Sequence, residues 1–281
     1  MSTEHTWRVN GMDLDDAGSL GWLMEGTMWR PPVGTRRRAV VVPGRHGTLS
    51  PTLPEFEEPI VRLTCRTLPT LTTHTTIAAA VDALTALVTQ PAPTLTRISA
   101  GVTASARAEL VSITSDDFSI SLRAVTTVLF AIPGVFLSET ATVGTDLAFS
   151  ADLVSAEVSH LAGLTGPVGD AVVRITGPAT NPAVTNPITG TGISWTGVVP
   201  AGQYLFMSAA TLTARLSAAS GDWLAGGTPV TATVSYPPAG GLQLWPTVSP
   251  TPTDRKALLS ATATGKSAAT KLAVRAGRWF L

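Results

Sequence analysis

Cysteine is almost absent. Of 281 residues only Cys65 carries a thiol, so no disulfide can form within the chain. Charge is scarce as well: charged residues make up 14% of the sequence, against about a quarter of an ordinary globular chain. Lysine is scarcest, with three residues against sixteen arginines. The formal net charge is zero, so no overall field draws in nucleic acid or an anionic membrane. Long apolar runs are also missing. The longest, residues 124–137, is interrupted by Thr126, Thr127, Pro133 and Gly134, too short and too broken to span a bilayer. The first 20 residues lack a basic start followed by an apolar run, the pattern of a secretion signal. Synthesis in the cytoplasm is therefore expected.

The motifs of chemistry are missing too. No Gly-x-Ser-x-Gly nucleophile elbow and no glycine-rich phosphate loop occurs. His5, His46, His74 and His160 show no ligand spacing with one another or with Cys65, whereas a zinc site needs three or four ligands around one ion. His46 reads as a solvated turn residue. Asp13, Asp15 and Asp16 suggest a calcium loop, but counted from Asp13 the twelfth position is Met24 instead of glutamate. They read as a solvated acidic loop. Glu55, Glu57 and Glu58 crowd one short segment between Pro54 and Pro59 and read as surface charge. The expectation is a protein with no catalytic residues, no metal and no cofactor.

What is present is a chain rich in Thr, Ala, Val, Gly and Pro. It lacks the disordered signature of low hydrophobicity with high net charge. Its length suits two domains, each able to bury a core. In the first part, Trp7, Arg8 and Val9 read as a strand ended by Asn10-Gly11, a strong hairpin turn. Residues 38–42 read as a buried strand closed by Pro43-Gly44. Ile60, Leu63 and Cys65 mark another, with Arg62 and Arg66 among its polar positions. One helix is expected over about residues 76–89. Thr75 or Thr76 can cap it, and Ile77, Val81, Leu84 and Val88 fall on one face. Pro91 and Pro93 end it, because proline has no N–H to continue the ladder. Strands are expected at 95–98, 106–114 and 118–129. In the last, Phe118, Ile120, Leu122 and Ala124 alternate with polar residues.

Pro133-Gly134 breaks the sheet, and the boundary is placed near residues 138–144. The domains are then 1–138 and 139–281. Beyond the boundary, strands are expected at 153–160, 171–176, 192–198, 204–208, 212–216, 229–236, 257–263 and 271–276. That spacing suits a β-sandwich. Gly177-Pro178, Asn181-Pro182, Asn186-Pro187 and Gly240-Gly241 read as turns between them. Between Ile175 and Thr253 the charged residues are Arg215 and Asp222 alone. Either hydroxyls form the polar face there, or part of that face is covered in an assembly.

The order of these features resembles the distal tail proteins of long-tailed phages: a first strand with Asn-Gly, then Pro43-Gly44-Arg45-His46-Gly47, one helix, a proline exit and a sandwich. The segment from Gly177 to Asn186 and the terminus from Val274 to Leu281 resemble parts of that family's C-terminal galectin-like domain. Gly202-Gln203-Tyr204-Leu205 departs from it, since Ser208 follows where the family often has an acidic residue. The resemblance implies a mainly β protein with an N-terminal ring-forming domain, one packed helix and a C-terminal galectin-like sandwich. It implies a non-enzymatic virion protein at the tail tip, a homo-hexameric ring between the tail tube protein and the tail-tip hub. DNA would pass through the ring without specific binding, and no membrane would be involved. The alternatives are another tail component such as a tube protein, or a carbohydrate-binding host-attachment module. The long second domain disfavours a tube protein. Galectin's His-x-Asn-x-Arg strand is absent, so Trp195 and Trp223 serve either as core residues or as stacking platforms. Arg36, Arg37 and Arg38 are expected to make polar subunit contacts with Glu55, Glu57 or Glu58 of a neighbour. Nucleic acid is disfavoured for these arginines, because residues 1–140 hold thirteen acidic and eleven basic side chains.

Overall fold

A computed structural model of the chain describes residues 5–16, 20–25, 30–36, 40–41, 48–49, 53–68, 73–74, 76–116 and 123–281. The chain divides into two compact units, residues 1–139 with Leu281 and residues 140–280.

In the first unit, His5–Val9 turns through Asn10 and Gly11, both at positive φ (50° and 81°), into Met12–Asp13. This is the backbone that an Asn-Gly hairpin selects. Asn10 Oδ1 also accepts from the Thr94 N–H at 2.9 Å. That bond ties the turn to the strand Thr94–Ser99, which lies antiparallel to His5–Val9. A tight hairpin leads on to Val102–Arg107, antiparallel to Thr94–Ser99. The strand expected at 106–114 is two strands, because the chain breaks at Ala108 before Glu109–Ser115.

A second, four-stranded sheet places Glu109–Ser115, Ala124–Ala131, Ile60–Thr67 and Trp22–Met24 side by side. Antiparallel register puts Val61 opposite Phe130, Leu63 opposite Val128, and Cys65 opposite Thr126. All six of these side chains are buried. Ile60 is exposed, and Val61 takes the buried place expected for it. Leu63 and Cys65 are buried as expected, so the phase holds from Val61 onward and only Ile60 falls outside it. Residues 117–122, which include Phe118, Ile120 and Leu122, lie outside the described residues, as do Ala39, Val42 and the turn holding His46.

The helix runs Ile77–Val88. Thr76 caps it, its side chain accepting from the Ala79 N–H at 3.1 Å. Val81, Leu84 and Val88 are buried, Ile77 is half-buried, and Asp82 faces solvent. The stripe packs on Ile60–Thr67, Glu109–Ser115 and Ala124–Ala131. Trp22 pins it, its indole N–H donating to the Ala80 carbonyl at 3.2 Å.

The second unit is a sandwich of two antiparallel sheets. One carries Thr142–Val143, Lys271–Ala276, Val172–Thr176, Tyr204–Ser208, Thr213–Ser217 and Thr228–Pro229 in that order, with Leu147–Ala148 also on Lys271–Ala276. The other carries Leu153–Glu157, Leu258–Thr264, Ala179–Thr185, Gly192–Trp195 and Val234–Ser235, with Val198–Val199 also on Ala179–Thr185. Period-two alternation sends Val173, Ile175, Leu205 and Met207 inward from the first sheet. Val184, Ile193, Leu259 and Ala261 come inward from the second, and all eight join one core.

Four expectations fail here: the strand at 153–160 stops at Glu157 before the 3-10 turn Ser159–Leu161, that at 192–198 breaks after Trp195, and two more differ as follows. Asn181-Pro182 is not a turn between strands but lies inside Ala179–Thr185, at a register shift between Thr180 and Ala183. Asn181 has φ 50°, and its side chain accepts from the Gly197 N–H at 2.9 Å. A bulge tolerates both the left-handed residue and the missing proline donor. The strand expected at 229–236 is instead two short strands separated by the 3-10 turn Thr231–Thr233.

Candidate functional site

The arginine and glutamate candidates are only partly brought together. Thr35–Arg36 pairs with Glu55–Phe56, and this sets Arg36 directly opposite Glu55 of the same chain. Directly opposed unlike charges favour each other modestly, by about 0.2–1 kcal/mol. Arg36, Glu57 and Glu58 are exposed and Glu55 is half-buried. The Glu57 N–H donates to the Gly34 carbonyl at 2.8 Å, which extends this two-stranded pairing by one bond. Arg37 and Arg38 lie outside the described residues.

Several other chemistry-bearing side chains among the described residues have structural contacts. Asp13 accepts from the Asp15 N–H at 3.0 Å and faces Arg8 at 3.5 Å. Asp15 accepts from the Met24 N–H at 3.3 Å. The acidic loop is thus half-buried and stitched into the first unit, less solvated than expected. His74 stacks on Trp22, with ring centroids 6.5 Å apart. Cys65 is fully buried, and burial pushes its thiol up to about 12, away from any nucleophilic state at neutral pH. Among the described residues no three His, Cys, Asp or Glu side chains gather as metal ligands. No described helix is long and apolar enough to cross a membrane.

The two candidate tryptophans, Trp195 and Trp223, are both buried. Trp195 is buried in the sandwich core, and its indole N–H donates to the Val230 carbonyl at 3.0 Å. Trp223 is buried on the outer face of the first sheet, edge-on to Phe206 with centroids 5.4 Å apart. The Arg174 guanidinium lies 4.9 Å from its ring centre and 5.6 Å from that of Tyr204. Arg174 also bonds Asp146 at 2.7 Å and the Ser220 carbonyl at 2.9 Å. Arg215 holds the carbonyls of Gly226 and Trp223, both at 3.1 Å. Two arginines rising from the sheet therefore clamp residues 218–227 over it, with Trp223 as the plug. The alternation of residues 172–176 and 204–208 shows which side chains leave the core, but it does not show what covers them.

The outer face of the second sheet is different. Its rows read Val198–Thr180–Thr264 and Ser235–Ser194–Ala183–Thr262, with Thr185 beside Ser260 below. None of these side chains is charged. Charge enters this face only at its edge, where Glu157 stands opposite Leu258 and pairs with Lys256 at 2.7 Å.

No family model matches the sequence, and no curated protein matches it. Solved structures do match in fold. The crystal structure of the SPP1 Dit protein superposes with a TM-score of 0.61, covering 99% of this chain and 99% of that one at 12% sequence identity. This chain has the Dit fold. SPP1 Dit is described as a paradigm of the hub adsorption apparatus in phages that infect Gram-positive hosts. Chains of the phage p2 baseplate in its activated conformation align over 96% and 97% of this chain, at 8% and 9% identity, with TM-scores of 0.39 and 0.38. At 12% identity the shared fold extends over both units of this chain. The surface chemistry is this chain's own.

Proposed function

We propose that this protein is a structural component of a phage tail tip, a distal tail protein without enzymatic activity. The observation that carries this reading is the end-to-end match of both units to SPP1 Dit. A single shared domain would be weak grounds, since one fold serves many functions. Two domains shared in the same order, over the whole of both chains, are much stronger grounds. In this reading residues 1–138 close a homo-hexameric ring through repeated heterologous contacts, and residues 139–281 form galectin-like sandwiches around it. The ring connects the tail tube protein to the tail-tip hub and lets DNA pass without specific binding. Arg36, Arg37, Arg38, Glu55, Glu57 and Glu58 contribute polar contacts at its seams. Its site of action is the virion.

The deciding experiment is electron microscopy of the purified protein together with labelling of intact virions. Six-fold rings, and label confined to the tail tip, support the reading. A protein that stays monomeric at high concentration and is absent from virions defeats it. A monomer that binds wall glycans, with binding competed by free sugar, would favour the carbohydrate-binding alternative.

A further inference from the structure

The second unit begins with a segment held along Lys271–Ala276. Thr142 lies opposite Ala276 and Val143 opposite Arg275, and the Gly144 N–H donates to the Val274 carbonyl at 2.9 Å. His160, in the 3-10 turn Ser159–Leu161, presses its ring onto this glycine. A Cβ at position 144 would stand 2.3 Å from His160 Nδ1, so only glycine fits beneath the imidazole. The ring also forms a hydrogen bond with the backbone of Ala276. His160 Nε2 is buried and has no partner. The neutral ring therefore carries its proton on Nδ1 and keeps a lone pair at Nε2. A second proton would create a buried N–H with no acceptor, at the cost of its lost hydration.

The surroundings offer no spare anion to offset that charge. A small cavity beside the ring is lined by Gly144, Thr145, Leu147, Glu157, Val158 and Val274. Glu157 is already bonded to Lys256 at 2.7 Å. Asp146, next to Thr145, is held by Arg174 and by Lys271. Arg275, beside Val274, adds positive charge on the same strand.

We propose that His160 is an acid-operated clasp: the neutral ring fixes the segment around Gly144 to the sandwich edge, and protonation releases it. Burial lowers the proton affinity of this ring below the ordinary histidine value of 6.5. Because the folded-state value is depressed, the clasp's contribution is complete above that ordinary value. It is lost as the pH falls through the folded-state value.

Hydrogen–deuterium exchange of the full-length protein tests this, read on peptides covering residues 140–148 and corrected for the intrinsic effect of pH. Between about pH 7.5 and about pH 5, protection of this segment should fall several-fold as the ring takes up its second proton. The core strand Tyr204–Ser208 serves as the internal control. His160→Gln keeps a donor but cannot titrate, so its exchange should be flat with pH. Gly144→Ala should expose the segment at every pH. Unchanged protection in the wild type would overturn the proposal. So would the same pH dependence in His160→Gln, or a His160 NMR titration at or above the ordinary value.

Discussion

The two sheets of the second unit present similar faces to the core and opposite faces to the outside. The outer face of the first sheet carries Arg174 and Arg215, and a loop plugged by Trp223 closes over them. The outer face of the second carries rows of Ser and Thr, with charge only at its edge, where Glu157 opposite Leu258 pairs with Lys256. Both solve one problem, since the outward residues of a half-buried strand need a polar environment. The first face answers with charge, and charge beside apolar Val172, Phe206 and Ala273 then calls for a cover. Guanidinium groups suit that cover, because they bond carbonyls at the edge while stacking on aromatic faces. The second face answers with hydroxyls, which sit in water or against a neutral partner at little cost. Burying a charge without a partner is far more expensive. The hydroxyl face is thus the cheaper of the two to cover in an assembly.

The largest expected effect comes from removing the plug. Trp223→Ala should destabilise the second unit by about 3–5 kcal/mol, because it uncovers Phe206 and leaves both arginines without their roof. Denaturant unfolding, monitored on the second unit, measures it. A cost no greater than that of a surface change would show that the loop is decoration, and the contrast between the faces would collapse.

The first unit offers the same comparison with a different cover, a helix in place of a loop. Leu84 is fully buried beneath Ile77–Val88, so Leu84→Ala should cost about 2–5 kcal/mol. Asp82 on the opposite face should tolerate alanine within about 0.5 kcal/mol. Equal melting temperatures for the two variants would mean that the helix does not seal its sheet. Thr76→Ala removes the cap that accepts from Ala79 and should cost about 1 kcal/mol. It sharpens the comparison by separating helix formation from helix docking.

These covers differ in how far they were legible. The helix was legible because its signals are local: a cap, a stripe of period 3.6 and two prolines. Tyr204–Ser208 and Lys271–Ala276 were legible from the regular spacing of short apolar segments between turns. Asn181-Pro182 misled because the dipeptide that favours a turn also favours a bulge. Only the pairing of Thr180 with Thr264, distant in the chain, decides between the two. The pairing of Arg36 with Glu55 was hidden likewise, because it depends on a register between residues far apart in the chain. Trp223 gave no local signal at all. Its role rests on Arg174 and Arg215, which reach it from two strands. Gly144 and His160 meet only because Thr142–Val143 returns to Lys271–Ala276.

The smallest expected effect lies on the hydroxyl face. Thr262 is exposed and sits opposite Ala183, in the row that runs on to Ser194 and Ser235. Thr262→Val keeps the branched shape that suits a strand and removes one solvated hydroxyl. Its effect on stability should stay within about 0.5 kcal/mol, measured by the same denaturant titration. The size matters because Ser194 and Ser235 do bond each other across this row, at 2.8 Å. If hydroxyl bonding propagated along the row as a cooperative ladder, Thr262→Val would cost as much as losing the Thr76 cap. The face would then be a structural network in its own right, and covering it would disturb bonds the fold needs. A near-zero effect leaves the row as independent hydroxyls that can exchange water for a neutral partner. The clamped, charged face cannot make that exchange without dismantling its roof.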